Sequence, residues 1–422
     1  MDKVKLCIHR AADTIGGNCI EIVAPTGERI LLDAGRPLDT PDDAPTPTPP
    51  SLAIDSPVLG VLLSHAHTDH CGLLGVLPAD WPVYCGEATE SLLYLSAALR
   101  KESISQRCNH WYSGEPLFLG PFTITPWLID HSAFDAYALQ VDVAGKSILY
   151  SGDFRAHGRK AKLTENLMRN PPKSLDVLIM EGTNLPSSNV PLKETATESE
   201  LEKDFGRLFQ ETKGRVFVSW SSTNIDRTVT LYRACKANGR ILVPDLFCMM
   251  VLMRLGKFAK GLPQPEWNPA YMRAAVTSRM TYLANRLGEP DIVSVLKKHN
   301  AAMSASRLAE APEKWVIMAR SSLVDDFARK GVAPNKDDIW IWSQWKGYLE
   351  QESSQKMKDF FTPCRMEYVH SSGHAPPDVL QQFAKSMNAK MLIPVHGENW
   401  QEHADSFSNN VHINNGQWVA IQ

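Results

Sequence analysis

The stretch VLLSHAHTDHCGLLG (61–75) sets His65, His67, Asp69 and His70 within six residues, directly after an apolar run. Imidazoles and carboxylates crowded in this way are costly to bury unless a shared partner satisfies them. A cation is such a partner, because neutral imidazole and carboxylate oxygen both suit zinc and other first-row divalent ions. In an extended segment, residues two apart point the same way, so His65 and His67 can grip one ion together. A turn toward helix after Thr68 re-aims Asp69 and His70 at a second position. The chain therefore has to end a buried strand at this point and bring the remaining ligands from elsewhere.

Candidates recur at other apolar run ends. His131 follows FTITPWLID, Asp153 follows SILYSG and His396 follows MLIPV, each next to polar or glycine residues. His110, His299, His403 and His412 lack that setting and read as surface or capped residues. KLCIHR, GNCIEIVAP and RILLDAG read as short strands. RPLDTPDDAPTPTPPS is a proline-rich surface excursion that continues neither a central strand nor a helix. SPVLGVLLS, GPFTITPWLIDHS, YALQVDVAGKSILYSGD and SLDVLIMEGTN add strands. From about residue 195 helix and strand patterns alternate, as in a parallel α/β layer, and residues 270–308 read as helical throughout. MEYVHSSGHAPPDVLQQFAKSMNAKMLIPVHGEN ends the chain with strand, loop, helix, strand and loop.

At 422 residues the chain exceeds what one core usually fills, so two domains are expected. A formal net charge of −3 argues against a broad basic surface that holds nucleic acid by counterion release alone. A local patch is compatible with it. Arg155, His157, Arg159, Lys160 and Lys162 in DFRAHGRKAK form either a phosphate-holding patch or a solvated loop. Trp220, Trp342 and Trp345 either stack bases or fill the core. The eight cysteines contain no CxxC pair and read as reduced, buried thiols, Cys71 included. No apolar leader opens the chain and no run of roughly 18 apolar residues appears, so a soluble, cytoplasmic protein without membrane contact is expected.

HAHTDH resembles the HxHxDH signature of the metallo-β-lactamase fold, and LLDAG (31–35), DHSAFDA and YSGDFR are similar to its other motifs. MEGTN with Glu181, SSGHA with His374 and PVHGEN with His396 resemble motifs A, B and C of the β-CASP group, whose members are nucleases. VSWSSTNIDRTVTLYRACKANGR, VHSSGHA and IPVHGEN are similar in wording to ribonuclease J. The resemblance implies an α/β fold: a metallo-β-lactamase αββα sandwich, residues 1–194 and 366–422, with an inserted α/β β-CASP domain, residues 195–365. It implies two divalent metal ions, zinc foremost with manganese the alternative. His65, His67 and His131 would hold one, Asp69, His70 and His396 the other, with Asp153 between them. Asp33, Asp135 and Glu181 are the expected partners that fix the imidazole tautomers.

The implied reaction is phosphodiester hydrolysis by a hydroxide shared between the two ions. Asp69, Glu181 and His374 are the expected catalytic residues, Asp69 orienting the nucleophile and His374 stabilising the transition-state charge. Ser371, Ser372 and Arg155 are candidate phosphate contacts. The expected partner is nucleic acid, RNA in preference to DNA, since the motif C histidine tilts toward the RNA-processing branch. A homodimer, and exo- against endonucleolytic action, stay open. Competing readings are a DNA nuclease of the same fold, a small-molecule metallohydrolase and a non-catalytic RNA-binding subunit. The chain departs from ribonuclease J in having Glu181 for Asp in motif A. It also ends about 26 residues beyond His396, without a counterpart of that family's C-terminal domain, and lacks its glycine-rich segments before motif B.

Overall fold

The apolar runs of the first part of the chain pair into two sheets. The computed structural model describes residues 3–41, 44–187, 195–266 and 270–422. β1 (Lys5–Arg10), β2 (Cys19–Val23), β3 (Arg29–Leu32), β4 (Gly60–Leu62), β5 (Val83–Cys85) and β6 (Cys108–His110) lie side by side in that order. The first three are antiparallel; from β3 onward neighbours run parallel. β7 (Leu117–Leu119), β8 (Phe122–Ile129), β9 (Ala136–Val143), β10 (Lys146–Tyr150) and β11 (Val177–Glu181) build the second sheet, antiparallel up to β10 and parallel between β10 and β11.

The inserted segment follows, with β12 (Val216–Ser219), β13 (Ile241–Val243), β14 (Ala274–Val276), β15 (Ala302–Ser304), β16 (Trp315–Met318), β17 (Ile339–Trp342) and β18 (Arg365–Tyr368). The chain then returns with β19 (Met391–Val395), parallel to β11, and β20 (Trp418–Ala420), antiparallel to β1. Two compact units result, residues 1–194 with 373–422 and residues 195–372. The expected break at 194/195 falls against residues 188–194, which lie outside the described residues, as do Asp42 and Asp43 of the proline-rich excursion. The other boundary differs from expectation. β18 pairs with β17, so the strand that starts at Arg365 lies in the second unit and not in the returning segment.

In the first unit, period-two alternation sends alternate residues of each sheet to opposite faces. Ile8, Ile20, Ile22, Ile30 and Leu62 meet Ile124, Val141, Ile148, Ile179 and Ile393 between the sheets. Leu31, Val61, Leu63 and Val83 face the other way and pack with Leu93 of the helix Glu87–Arg100. On the far side of the second sheet, Leu149, Leu178 and Met180 pack with Leu167 and Phe383 of the helices Ala161–Arg169 and Pro377–Met387. The result is an αββα sandwich.

The second unit is a parallel sheet in the order β13-β16-β12-β17-β18 with a separate parallel pair, β14 and β15. That pair corrects the expectation of helix throughout 270–308: two strands of three residues each flank the helices Ser278–Arg286 and Ile292–Lys298. The turn at Asn224, within VSWSSTNIDR, has a structural explanation. Asn224 caps the helix Ile225–Ala237 by accepting from Arg227 N at 3.0 Å. The Arg227 side chain, fully buried, pairs with Glu198 at 3.0 Å, and Thr230 Oγ1 donates to the same carboxylate at 2.7 Å. Trp220 and Trp342 are buried in this unit's core, whereas Trp345 is exposed. Among the described residues no helix is long and apolar enough to cross a membrane.

Removing one partner of a buried ion pair strands the other charge. Arg227→Ala is expected to destabilise this unit by about 3–5 kcal/mol, read by urea unfolding with tryptophan fluorescence. Arg207→Ala, which breaks an exposed pair with Glu211, should leave the midpoint nearly unmoved.

Candidate metal centre

Each candidate ligand of the first unit sits where a strand ends or just beyond it. His65 lies three residues after β4, His131 two after β8, Asp153 three after β10 and His396 one after β19. The parallel registers Tyr150↔Ile179 and Glu181↔Val395 bring the ends of β10, β11 and β19 to one rim. The backbone there is tightly constrained. Gly152, at φ +55°, leads into Asp153; a Cβ at that position would come within 2.9 Å of Ser64 Cβ and Tyr137 O, so only glycine fits. His396 and Asp33 adopt φ of +50° and +58°, a left-handed conformation uncommon outside glycine.

The structure brings all seven candidate ligands together. His65 Nε2 and His131 Nε2 lie 3.0 and 3.2 Å from His67 Nδ1, and 3.7 and 3.9 Å from Asp153 Oδ2. His70 Nε2 is 3.0 Å from Asp153 Oδ2 and 3.8 Å from Asp69 Oδ2. His396 Nε2 is 3.2 Å from Asp69 Oδ2 and 3.8 Å from Asp153 Oδ1. Two ligand groups result, His65–His67–His131–Asp153 and Asp69–His70–Asp153–His396. Within each, all four donor atoms lie within 4.8 Å of one another, and Asp153 is common to both.

Hydrogen bonding on the outer side of the rings fixes which nitrogen faces inward. Asp33, fully buried, accepts from Ser64 N at 2.7 Å, Ser64 Oγ at 2.8 Å, Tyr150 Oη at 2.7 Å and His70 Nδ1 at 2.7 Å. With its proton committed to Asp33, Ser64 Oγ accepts from His65 Nδ1 at 3.0 Å. His131 Nδ1 donates to Gly373 O at 2.6 Å. Thr183 Oγ1 gives its proton to His396 O at 3.2 Å and so accepts from His396 Nδ1 at 2.9 Å. A ring whose Nδ1 carries the proton presents Nε2 as a lone pair. In these four rings Nε2 is therefore the nitrogen that faces into one shared space, where it can bind a cation whenever it carries no proton.

The two groups differ in charge. Burial, together with mutual repulsion among the rings, holds His65 and His131 well below the usual imidazole range, and burial takes His67 down to about 4. These three are neutral, the form in which an imidazole can bind a cation. Around His70 the balance reverses: burial opposes protonation, but Asp153, Asp69 and Asp33 outweigh it and raise the imidazole well above its ordinary value. Asp69 and Asp153 stay ionised against the cost of burial because His70 and His396 lie beside them. Asp153 Oδ1 and His70 Nε2 are buried without a hydrogen-bond partner. An imidazole-rich pocket beside a carboxylate-rich one, with an unsatisfied carboxylate oxygen between them, fits divalent cations.

At the rim, His374 Nδ1 lies 3.0 Å from Glu181 Oε2, and Glu181 Oε1 accepts from Phe154 N at 2.8 Å. Burial opposes a charge on His374, but Glu181 and Asp153 prevail and lift it to about 9. Other expected positions lie elsewhere. Asp135 accepts from Thr89 N at 3.0 Å and Thr89 Oγ1 at 3.2 Å, and so anchors the first turn of the helix Glu87–Arg100 rather than an imidazole. Arg155 is fully buried with its Nε 3.5 Å from Asp130, so the expected phosphate contact is a core ion pair. His157 is buried as well, and Lys160 donates to Ala133 O and Phe134 O, which leaves exposed only Lys162 of the expected basic patch. Ser371, buried in the second unit, donates to Ala196 O at 2.5 Å; Ser372 is half-buried there. Cys71 is a core thiol, pushed up to about 12 by burial, and belongs to neither ligand group. Ser64, Tyr150 and Thr183 went unread in the sequence, although each stands within three residues of a recognised motif position.

This arrangement defines a metallohydrolase-type centre on an αββα scaffold. Residues 28–240, just over half the chain, match the beta-lactamase superfamily domain, and residues 363–418 match the Zn-dependent metallo-hydrolase RNA specificity domain. The chain belongs to the beta-lactamase superfamily, in its β-CASP group. It is similar to ribonuclease J of Helicobacter pylori, 24% identical over 409 residues that make up 91% of this chain and 54% of that protein. It is also similar to ribonuclease J of Mycobacterium tuberculosis, 24% identical over 349 residues, 80% of this chain and 58% of that one. The chain thus spans little more than half the length of these relatives. A crystal structure of a protein of unknown function from Enterococcus faecalis shares the fold, with TM-score 0.74, 19% identity and coverage of 99% of this chain and 100% of that one.

Because Asp33 orders His70 directly and His65 through Ser64, Asp33→Asn is expected to weaken divalent-metal affinity by about 10–100-fold. Competition against a chelating dye measures it, with circular dichroism confirming the fold. Unchanged affinity would show that the outer hydrogen bonds do not orient the ligands.

Proposed function

We propose that the chain is a metal-dependent ribonuclease acting in RNA processing or decay, with two divalent ions, zinc foremost, held by His65, His67, His131, Asp69, His70, His396 and the shared Asp153. We further propose that the second unit, residues 195–372, is the β-CASP insertion. The observation that carries the reading is the pair of ligand groups sharing Asp153, with the charged His374–Glu181 pair at their rim. The match to an RNA specificity domain and the ribonuclease J relatives favour RNA over DNA.

Cations held by these residues would supply an activated water and neutralise the non-bridging phosphate oxygens. The chain's own groups complete the chemistry. Asp69, ionised beside His70 and His396, accepts a hydrogen bond from the attacking water and orients it. His374, held as imidazolium by Glu181, donates to a phosphoryl oxygen as charge builds there. Glu181, fully buried, is a positioning residue, acting on substrate only through His374.

End-labelled RNA and DNA oligomers with either a 5′-phosphate or a 5′-hydroxyl, incubated with the purified chain and zinc or manganese, test this. RNA cleavage is expected, lowered about 10²–10⁴-fold in Asp69→Ala and about 10²–10³-fold in His374→Ala. Glu181→Gln should lower kcat with KM little changed. The reading fails if neither polymer is cut, or if Asp69→Ala matches the parent.

A further inference from the structure

The outward face of the first sheet carries a second set of reactive side chains that shares no residue with the ligand groups. His9, Glu21 and Arg29 come from the neighbouring strands β1, β2 and β3. His9 stands where the β1–β2 register steps from Ile8↔Ile20 to Arg10↔Cys19. An irregularity of that kind re-aims a side chain. His9 Nε2 lies 2.8 Å from Glu21 Oε2, and Nδ1 lies 2.8 Å from Ser51 Oγ. Glu21 is ion-paired to Arg29, whose Nε is 2.9 Å from Oε1 and whose Nη2 donates to Oε2 at 3.2 Å. Arg29 is tied in turn to Ala53 O at 2.9 Å.

The protons follow from these contacts. A carboxylate only accepts, so His9 Nε2 carries the proton that faces Glu21. Nδ1 then holds a lone pair directed at the hydroxyl of Ser51, which donates to it. The His9 side chain is fully enclosed and Ser51 is exposed. A cavity of about 610 Å³ opens at this point, lined by Lys5, Glu21, Val23, Arg29, Ser51 and Trp418, and the His9 ring meets Trp418 edge-on at 6.0 Å. An exposed hydroxyl, a base within reach and a carboxylate orienting that base are the three parts of an activated nucleophile.

We propose that Ser51, His9 and Glu21 form a serine-nucleophile site, separate from the metal centre, that hydrolyses short-chain carboxylic esters bound against Val23 and Trp418. Ser51 Oγ forms a bond to the carbonyl carbon as its proton passes to His9 Nδ1. The carbon–oxygen bond of the ester then breaks and the leaving alkoxide takes that proton, which gives the alcohol and an acyl-Ser51. Water adds to the acyl carbon and passes a proton to His9. Cleavage of the acyl bond releases the acid and returns the proton to Ser51 Oγ.

The full chain treated with a fluorophosphonate, which phosphonylates activated serines with loss of fluoride, tests this by peptide mass spectrometry. One adduct on Ser51 is expected, formed at the same rate after chelator treatment. Ser51→Ala should abolish both the adduct and chelator-insensitive hydrolysis of p-nitrophenyl acetate. His9→Gln should slow labelling about 10²–10⁴-fold. A folded parent with no Ser51 adduct overturns the proposal, as does parental-rate labelling in His9→Gln or undiminished ester hydrolysis in Ser51→Ala. Because Ser51 is exposed, its alanine variant carries the test even if His9→Gln does not fold.

Discussion

The Asp33 carboxylate is the contact on which the first unit's site depends. It accepts from groups on both sheets: Ser64 beyond β4, His70 in the helical turn after the HAH segment, and Tyr150 at the end of β10. Asn18 Nδ2 extends the set by donating to Tyr150 Oη at 2.7 Å. A buried carboxylate left without donors would be expensive; with four it is satisfied, and it ties the two sheets together at this point. That spacing decides whether Asp153, on the second sheet, comes within 3.0 Å of His70 on the first.

Charge is distributed unequally over the rim. Three imidazoles kept neutral by burial offer lone pairs and little net field. The Asp69–His70–Asp153–His396 side instead carries more negative charge than its rings balance, and the raised affinity of His70 for a proton expresses that excess. A cation there competes with a proton, whereas on the other side it enters a pocket from which protons are already excluded. A cation held by the carboxylate-rich group would therefore lose affinity with acidity more steeply than one held by the imidazole-rich group.

The sequence disclosed the residues that cluster in the site better than the residues that support them. HAHTDH, and the polar residues that follow apolar runs at His131, Asp153 and His396, can be read because strand ends punctuate a sequence visibly. Tyr150 and Thr183 cannot be read this way, since a hydroxyl in a strand or turn has the same local pattern whether it points at a carboxylate or at solvent. Arg155 shows the converse. Its neighbours made it look like part of a surface patch, but Asp130, 25 residues earlier, draws it into the core. Asp135 reads as an imidazole partner because an acidic residue near a histidine of the site and one capping a distant helix look alike in one dimension. The short strands β14 and β15 were hidden by the helical periodicity of the segments between them.

Strained backbone occurs at several points of the chain, and some of it borders the candidate ligands. Asp33, Gly152 and His396 all adopt positive φ, and two of them are not glycine. Such conformations cost of order 1–3 kcal/mol each and persist only where the surroundings over-determine them. For His396 the determinants are visible: its N donates to Ala11 O at 2.8 Å, its O accepts from Thr183 Oγ1, and its Nδ1 is held by the same hydroxyl. A ring clamped at backbone and side chain alike keeps its Nε2 aimed at Asp69 Oδ2, 3.2 Å away. That direction is fixed by the fold before any cation arrives, so little reorganisation remains when one binds.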